Sequence, residues 1–248
     1  STNGVIVNNL VFNSGSNNQA NIYLKGGSGH TVYQNTSINS GTGGQACLGL
    51  TIDTAANPQT GLNPSNSNIK NNVFLCSSPS GTGYVYGLFS AGSQSTNTWD
   101  YNDVWISGSG TVSQSYGTWL SWTGQGSNFD AHSLNSDPLL VNEVTPVTAW
   151  DFTPRAASPV IGAGANLAVA SDYLVQSRSS KPAIGGLEPF GGQLLAHSSG
   201  SQSVYVILRV SAPLSVYTGG QVYNTSSKAL EPYTTANLAK YCIPLTQQ

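Results

Sequence analysis

Along the first hundred or so residues the apolar positions come in short clusters set between Gly, Ser and Asn, and one arrangement recurs. An apolar residue is followed at the third position by Asn and then by alternating apolar positions: Ile6 leads to Asn9 with Leu10 and Phe12, and Val32 leads to Asn35 with Ile38. Ile69 leads in the same way to Asn72 with Val73 and Leu75, and Trp99 to Asn102 with Val104. The asparagines stand 26, 37 and 30 residues apart, the irregular spacing of a stacked repeat whose loops vary in length. Within each unit, runs such as Val5-Ile6-Val7, Asn21-Ile22-Tyr23-Leu24 and Tyr84-Val85-Tyr86 are rich in β-branched and aromatic residues and predict short strands between turns. No helical periodicity stands out before residue 191.

Short strands at this period predict an all-β fold, a parallel β-solenoid in which each coil hydrogen-bonds to the coils above and below it. An Asn at the same bend of successive coils can satisfy backbone groups at the turn and bond to its stacked equivalent. Asn9, Asn35, Asn72 and Asn102 therefore read as a structural ladder in the interior.

Composition narrows the function classes. Of 248 residues only 8 are Lys or Arg and 10 Asp or Glu, 7% in all with a formal net charge of -2, while 38% are hydrophobic. A chain this apolar folds, and its surface is kept wet by Asn, Ser, Thr, Gln and Gly instead of by charge. No basic run exists, which argues against nucleic acid. The apolar run Val204 to Val210 is interrupted by Arg209 and is far short of the roughly 20 residues that span a bilayer. The start, Ser1-Thr2-Asn3-Gly4-Val5, is neither a Met start nor a signal peptide and implies a processed or excised segment. Loss of upstream coils would leave an open β edge at Val5 to Asn8, an aggregation hazard unless a coil, chain or cap covers it. Cys47, Cys76 and Cys242 fit no metal spacing, and no metal or cofactor is expected. Cys47 and Cys76 lie one repeat apart and either form a bridge or bury as two small apolar groups, burial being the favoured reading.

A family resemblance comes from the segment after the repeats. Asp137-Pro138-Leu139-Leu140, Phe152-Thr153-Pro154, Ala157-Ser158-Pro159-Val160-Ile161-Gly162-Ala163-Gly164 and Pro182-Ala183-Ile184-Gly185-Gly186-Leu187-Glu188 together resemble the terminal coils of pectate-lyase-like right-handed parallel β-helix proteins. That resemblance implies a right-handed β-helix over residues 1–190, terminal coils included. It also implies a homo-oligomer, a trimer as in the tailspikes of that group. The superfold hosts lyases, glycoside hydrolases, epimerases, tailspikes and adhesins, so it does not fix activity. After Gly191-Gly192 the composition shifts to a small β-rich module, 191–248, whose Gln221-Val222-Tyr223-Asn224 and Tyr241-Cys242-Ile243-Pro244-Leu245-Thr246 are weakly similar to a module of phage structural and secreted proteins.

Candidate chemistry is sparse. Acid catalysis on a polysaccharide needs two carboxyls about 5 to 10 Å apart, and Asp100 and Asp103 are the closest pair, with Asp53 a further candidate. Each also reads as a turn or loop residue. Lys25, His30, Lys70 and Arg178 are the possible bases or clamps for a lyase, but Lys25-Gly26-Gly27-Ser28-Gly29-His30 reads as a surface turn, and His132 has no partner pattern. The large rings Trp99, Tyr101, Trp105, Tyr116, Trp119 and Trp122 cluster within one or two coils. Flat rings amid neutral polar side chains suit the CH faces and hydroxyls of a glycan, although the same rings could fill the coil interior. The expected protein is an extracellular or virion-associated fibre, tailspike-like protein or adhesin with a structural and carbohydrate-binding role. The alternative is a polysaccharide lyase or glycoside hydrolase.

Overall fold

The structure is a computed structural model. It describes residues 3–13, 20–25, 27–39, 50–53, 64–76, 83–88, 96–107, 110–113, 117–144, 146, 148–189, 193–199, 202–208, 221–224 and 229–232. The chain divides into two compact units, Ser1–Pro189 and Phe190–Gln248.

The first unit is rich in strands and poor in helix. Among its described residues are twelve strands: β1 (Val5–Val7), β2 (Leu10–Phe12), β3 (Ile22–Lys25), β4 (Thr31–Tyr33), β5 (Thr36–Asn39), β6 (Leu50–Asp53), β7 (Asn68–Lys70), β8 (Val73–Cys76), β9 (Gly83–Leu88), β10 (Thr98–Asp100), β11 (Asp103–Ile106) and β12 (Gly110–Ser113). They form three four-stranded sheets with orders β1-β4-β7-β10, β2-β5-β8-β11 and β3-β6-β9-β12, and every pairing is parallel. Each successive trio of strands thus gives one strand to each sheet, so like positions of successive rounds stand side by side.

The pleat then sorts residues by parity. In the first sheet the middle residues Ile6, Val32, Ile69 and Trp99 are in register and face one core, together with Leu50, Phe74, Tyr86, Val104 and Trp122. Burying such a side chain is worth about 1.5–3 kcal/mol. In the second sheet parity splits two cores. Phe74, Cys76, Val104 and Ile106 face the first core, whereas Ile38, Val73 and Leu75 face a second one with Leu140, Phe152, Val160, Ile184 and Leu187. That is why β5 and β8 are buried on both faces. Cys76 is fully buried and also disulfide-bonded, so burial and bridging are not the alternatives that the sequence suggested. Its partner lies outside the described residues, as do Cys47 and Cys242.

Residues 135–189 add no described strand to the three sheets. Among the described residues they contain no strand, only isolated bridges and the short 3-10 turn Ala149–Phe152. This segment runs back over the outer face of the second sheet and supplies the second core. It is tied to the corners it passes: Asn71 brackets Ala165, donating to its carbonyl at 2.7 Å and accepting from its N–H at 2.9 Å. Gly186 donates to Thr36 Oγ1 at 2.9 Å, and Asn8 Nδ2 donates to the Ser171 carbonyl at 2.7 Å. Gly185 has φ +106°, and a Cβ there would lie 2.8 Å from Thr36 Oγ1 and 3.0 Å from Val73. The Arg178 guanidinium, almost wholly buried, pairs with Glu188 at 2.7 Å and donates to Asn8 Oδ1 at 2.9 Å and the Gly185 carbonyl at 3.0 Å. The Pro, Gly and Ala signature between 137 and 188 is therefore that of a close-packed return strap, where small residues permit backbone to lie on a sheet.

The round after β12 is closed differently. Helix α1 (Trp119–Thr123), capped by Thr118, carries Trp122 into the core, and Phe129 and Leu134 bridge in parallel to Trp99 and Asp103. In the second unit, β13 (Gln193–Ser199) pairs antiparallel with β14 (Gln202–Leu208), and β15 (Gln221–Asn224) with β16 (Ala229–Pro232). No helix among the described residues is long and apolar enough to cross a membrane.

Candidate functional site

Two polar ladders set the corners on which any site must be built. In the first, Asn35 Oδ1 accepts from both the N–H and the Nδ2 of Asn9, each at 2.9 Å. Asn72 Oδ1 does the same for Asn35 at 3.0 and 2.9 Å, and Asn102 Oδ1 for Asn72 at 3.0 and 3.0 Å. Each Nδ2 also donates to a carbonyl of the round before, Asn35 to Ile6, Asn72 to Val32 and Asn102 to Ile69. The ladder ends at a carboxyl that lies outside the repeated asparagine pattern. Asp130 is buried and accepts from Asn102 Nδ2 at 2.8 Å, Ser133 Oγ at 2.6 Å, Trp122 Nε1 at 2.7 Å and Tyr86 OH at 3.2 Å. Burial pushes the Asp130 carboxyl up, and these four donors pull it back. Burial foremost, and then the Asp130 charge, pushes the Tyr86 phenol up as well.

A second ladder uses a different residue at each rung. Gly4 N–H donates to His30 Nδ1 at 3.1 Å, His30 N–H to Ser67 Oγ at 3.3 Å and Ser67 N–H to Asn97 Oδ1 at 2.9 Å. His30 is buried, not a surface-turn base, because its ring is the rung between Gly4 and Ser67. Unlike residue types at one corner leave no repeated letter for sequence reading to find.

The residue just before each ladder asparagine adopts the left-handed conformation: Asn8, Gln34, Asn71 and Tyr101 have φ of 59°, 56°, 56° and 54°. Amide side chains tolerate this region well and tyrosine poorly. The first three corners are covered by the strap, through Asn8, the buried Gln34 and Asn71. Tyr101 instead stacks on His132, with ring centroids 5.1 Å apart and planes 17° from parallel. Asp100 organises the pair: its Oδ1 accepts from the N–H groups of Tyr101 and His132 at 3.0 and 2.8 Å, and its Oδ2 lies 3.0 Å from His132 Nδ1. The His132 side chain is 64% exposed against 13% for Asp100, so the imidazole is held from its Nδ1 side and presented to solvent. Tyr33, Lys70 and Asp100 stand in register on the outer face of the first sheet. The whole row is half-buried, and partial burial pushes the Tyr33 phenol up.

The other proposed site residues are dispersed. Trp99 and Trp122 are fully buried and pack edge to face at 5.2 Å with Tyr86 between them in the core, so their rings cannot meet a glycan. Trp105 packs against the second core and Trp119 against the first. Tyr116 lies outside the described residues. Asp103 is neither a solvated turn residue nor a partner for Asp100. It is sealed beneath the strap, its Oδ1 accepting from Ser136 N–H at 3.3 Å and its Oδ2 unpaired. Burial foremost, against the one hydrogen bond from Ser136 and with the nearby Asp137 and Glu143 adding to it, pushes the carboxyl up to about 8. Buried and on the far side of the bend, it forms no catalytic pair with Asp100. Asp53 ends β6 opposite Lys25, and its side chain lies outside the described residues. No group of His, Cys, Asp and Glu among the described residues could hold a metal ion. Family models, curated proteins and solved structures were compared with the chain, and none matches.

Proposed function

We propose that the chain is a right-handed parallel β-helix of the pectate-lyase-like kind, serving as a fibre, spike or adhesin outside the cell or on a virion and binding carbohydrate. The observation that carries this reading is the fourth corner, where Tyr101 and the solvent-exposed His132 stack beside Asp100, whereas Asn8 and Asn71 at the first and third corners bond to the strap. A tyrosine in the left-handed region costs more than the amides used elsewhere, and the return on that strain is an aromatic and imidazole surface beside the half-buried row of Tyr33, Lys70 and Asp100. Such a surface suits the CH face and hydroxyls of a sugar. Trimer formation rests on the resemblance alone. The enzyme reading keeps one specific support, the Asp100–His132 pair, in which Asp100 positions the imidazole and His132 would be the base.

A glycan array followed by calorimetry tests the proposal. Tyr101→Ala and His132→Ala should each weaken binding by about tenfold or more, the loss of roughly 1.4 kcal/mol, with the melting temperature shifted little. Release of reducing ends or of an unsaturated sugar by the wild-type chain, abolished in His132→Ala, would replace binding with catalysis. Light scattering of the intact protein decides the trimer.

A further inference from the structure

The first stretch of the strap is fastened by carboxyl groups. Residues 135–144 contain no strand, and three of their N–H groups end on three acidic side chains: Ser136 on Asp103 Oδ1 at 3.3 Å, Leu139 on Asp137 Oδ1 at 2.8 Å and Leu140 on Glu143 Oε1 at 2.6 Å. Asp103 lies fully buried beneath them, and both its Oδ2 and Ser136 Oγ are without a hydrogen-bond partner. The carboxyls of Asp137 and Glu143 hydrogen-bond to each other, which two carboxyl groups do only while one of them carries a proton. We propose that residues 135–144 are a proton-held clasp, closed over β11 while Asp103 and the Asp137–Glu143 pair keep their protons and lifted locally as those protons are lost.

The surroundings set the direction. Once ionised, Asp103 is a carboxylate sealed from water with one hydrogen bond, and it has two further carboxyls nearby. Among the described residues, the cation that acts on this cluster is Arg155. Its guanidinium donates to the Val141 carbonyl at 2.9 Å and favours an ionised Glu143, but Arg155 is exposed, where solvent weakens its pull. Tyr86 feels Asp103 from the first core, and burial foremost holds its phenol neutral by pushing it up. Burial foremost also pushes Glu143 up, against the hydrogen bond from Leu140 and with Asp137 adding to it. The closed clasp thus keeps protons that a hydrated, open one releases. It is favoured at low pH and loses that advantage as pH rises towards about 8, the value to which Asp103 is pushed. Leu140 packs in the second core with Leu75 and Trp105, so lifting the clasp uncovers apolar surface on the outer face of the second sheet.

Hydrogen exchange of the whole chain, each rate divided by the intrinsic rate at the same pH, tests this. Protection within 135–144 should lie below that of the Asn35 and Asn72 amides throughout. It should fall by about tenfold per pH unit between about pH 5 and 8 for each proton released, with native circular dichroism. Low concentrations of urea should leave exchange in 135–144 unchanged while speeding that of the ladder amides, the mark of a local opening. Glu143→Gln keeps an acceptor for Leu140 and offers Asp137 an amide donor that needs no proton, and Asp103→Asn removes the buried ionisation. Each should make the pH dependence shallower, and the two together should abolish it. Protection equal to that of the ladder amides, no pH dependence within 135–144, or a slope unchanged in both single variants would each overturn the proposal.

Discussion

Asp103 shows what one buried carboxyl does to a charge-poor protein. Its folded value of about 8 lies far above the ordinary 3.8, so between those limits the folded state holds a proton that the unfolded state has released. Stability then falls as pH rises, by about 1.4 kcal/mol per pH unit while the difference is one whole proton. Its contribution is greatest below about pH 4 and lost by about pH 8. Asp103→Asn keeps an acceptor for Ser136 N–H and removes the ionisation. Urea denaturation at several pH values should show the variant more stable at pH 8 and with a flatter profile. Asp130 is the opposite case, because two of its four donors, Asn102 Nδ2 and Trp122 Nε1, have no acceptor role to switch to. Asp130→Asn sets an NH2 among them and should cost about 2–4 kcal/mol, read as a lowered denaturation midpoint and a shift in tryptophan emission. Neither role was legible beforehand: Asp130 lies outside the repeated Asn pattern, and the burial of Asp103 comes from a strap more than thirty residues further along the chain.

At the scale of elements the ladder and the strap hold different things. The ladder fixes the register between rounds, and its rungs are unequal because the end rung is exposed while the inner ones are buried. Asn72→Leu strands the N–H of Asn35 and leaves the Val32 and Lys70 carbonyls without their amide donor. It should cost about 2–4 kcal/mol, whereas Asn9→Leu should cost under about 1 kcal/mol. Chemical denaturation of the two variants side by side checks the contrast. The strap is held by close approach: Gly185→Ala meets both a positive φ and a 2.8 Å approach to Thr36 Oγ1. It should loosen residues 160–188, seen as faster hydrogen exchange there with the ladder amides still protected. The four asparagines could be read from the sequence because one residue type recurs at one corner. The second ladder could not, since Gly, His, Ser and Asn fill equivalent places by different means. The strap reads as coil turns in the sequence because close-packed return segments and coil turns draw on the same small residues and prolines.

For the whole first unit the stability rests on two cores sharing one sheet, with a disulfide at Cys76 reaching into the first. Reduction should lower the melting temperature, by the equivalent of about 2–4 kcal/mol if the loop it closes is released in the unfolded chain. Calorimetry with and without reductant, and the loss of that difference in Cys76→Ala, checks it. The candidate site depends on the same arrangement, because the fourth corner carries the Tyr101–His132 stack where the first and third bond to the strap. Sequence alone was enough for strand content, the period and the interior amides, all of which are local patterns repeated at one spacing. It also left an almost uncharged surface in view. Tertiary structure decided which rings are core and which meet solvent, since Trp99, Tyr101 and Trp105 sit within seven positions and parity at a bend sends each to a different environment. It likewise brought His132 to Asp100, a pairing with no sequence signature because it joins adjacent rounds. Distance along the chain does not encode height in the stack until the loops have been folded away.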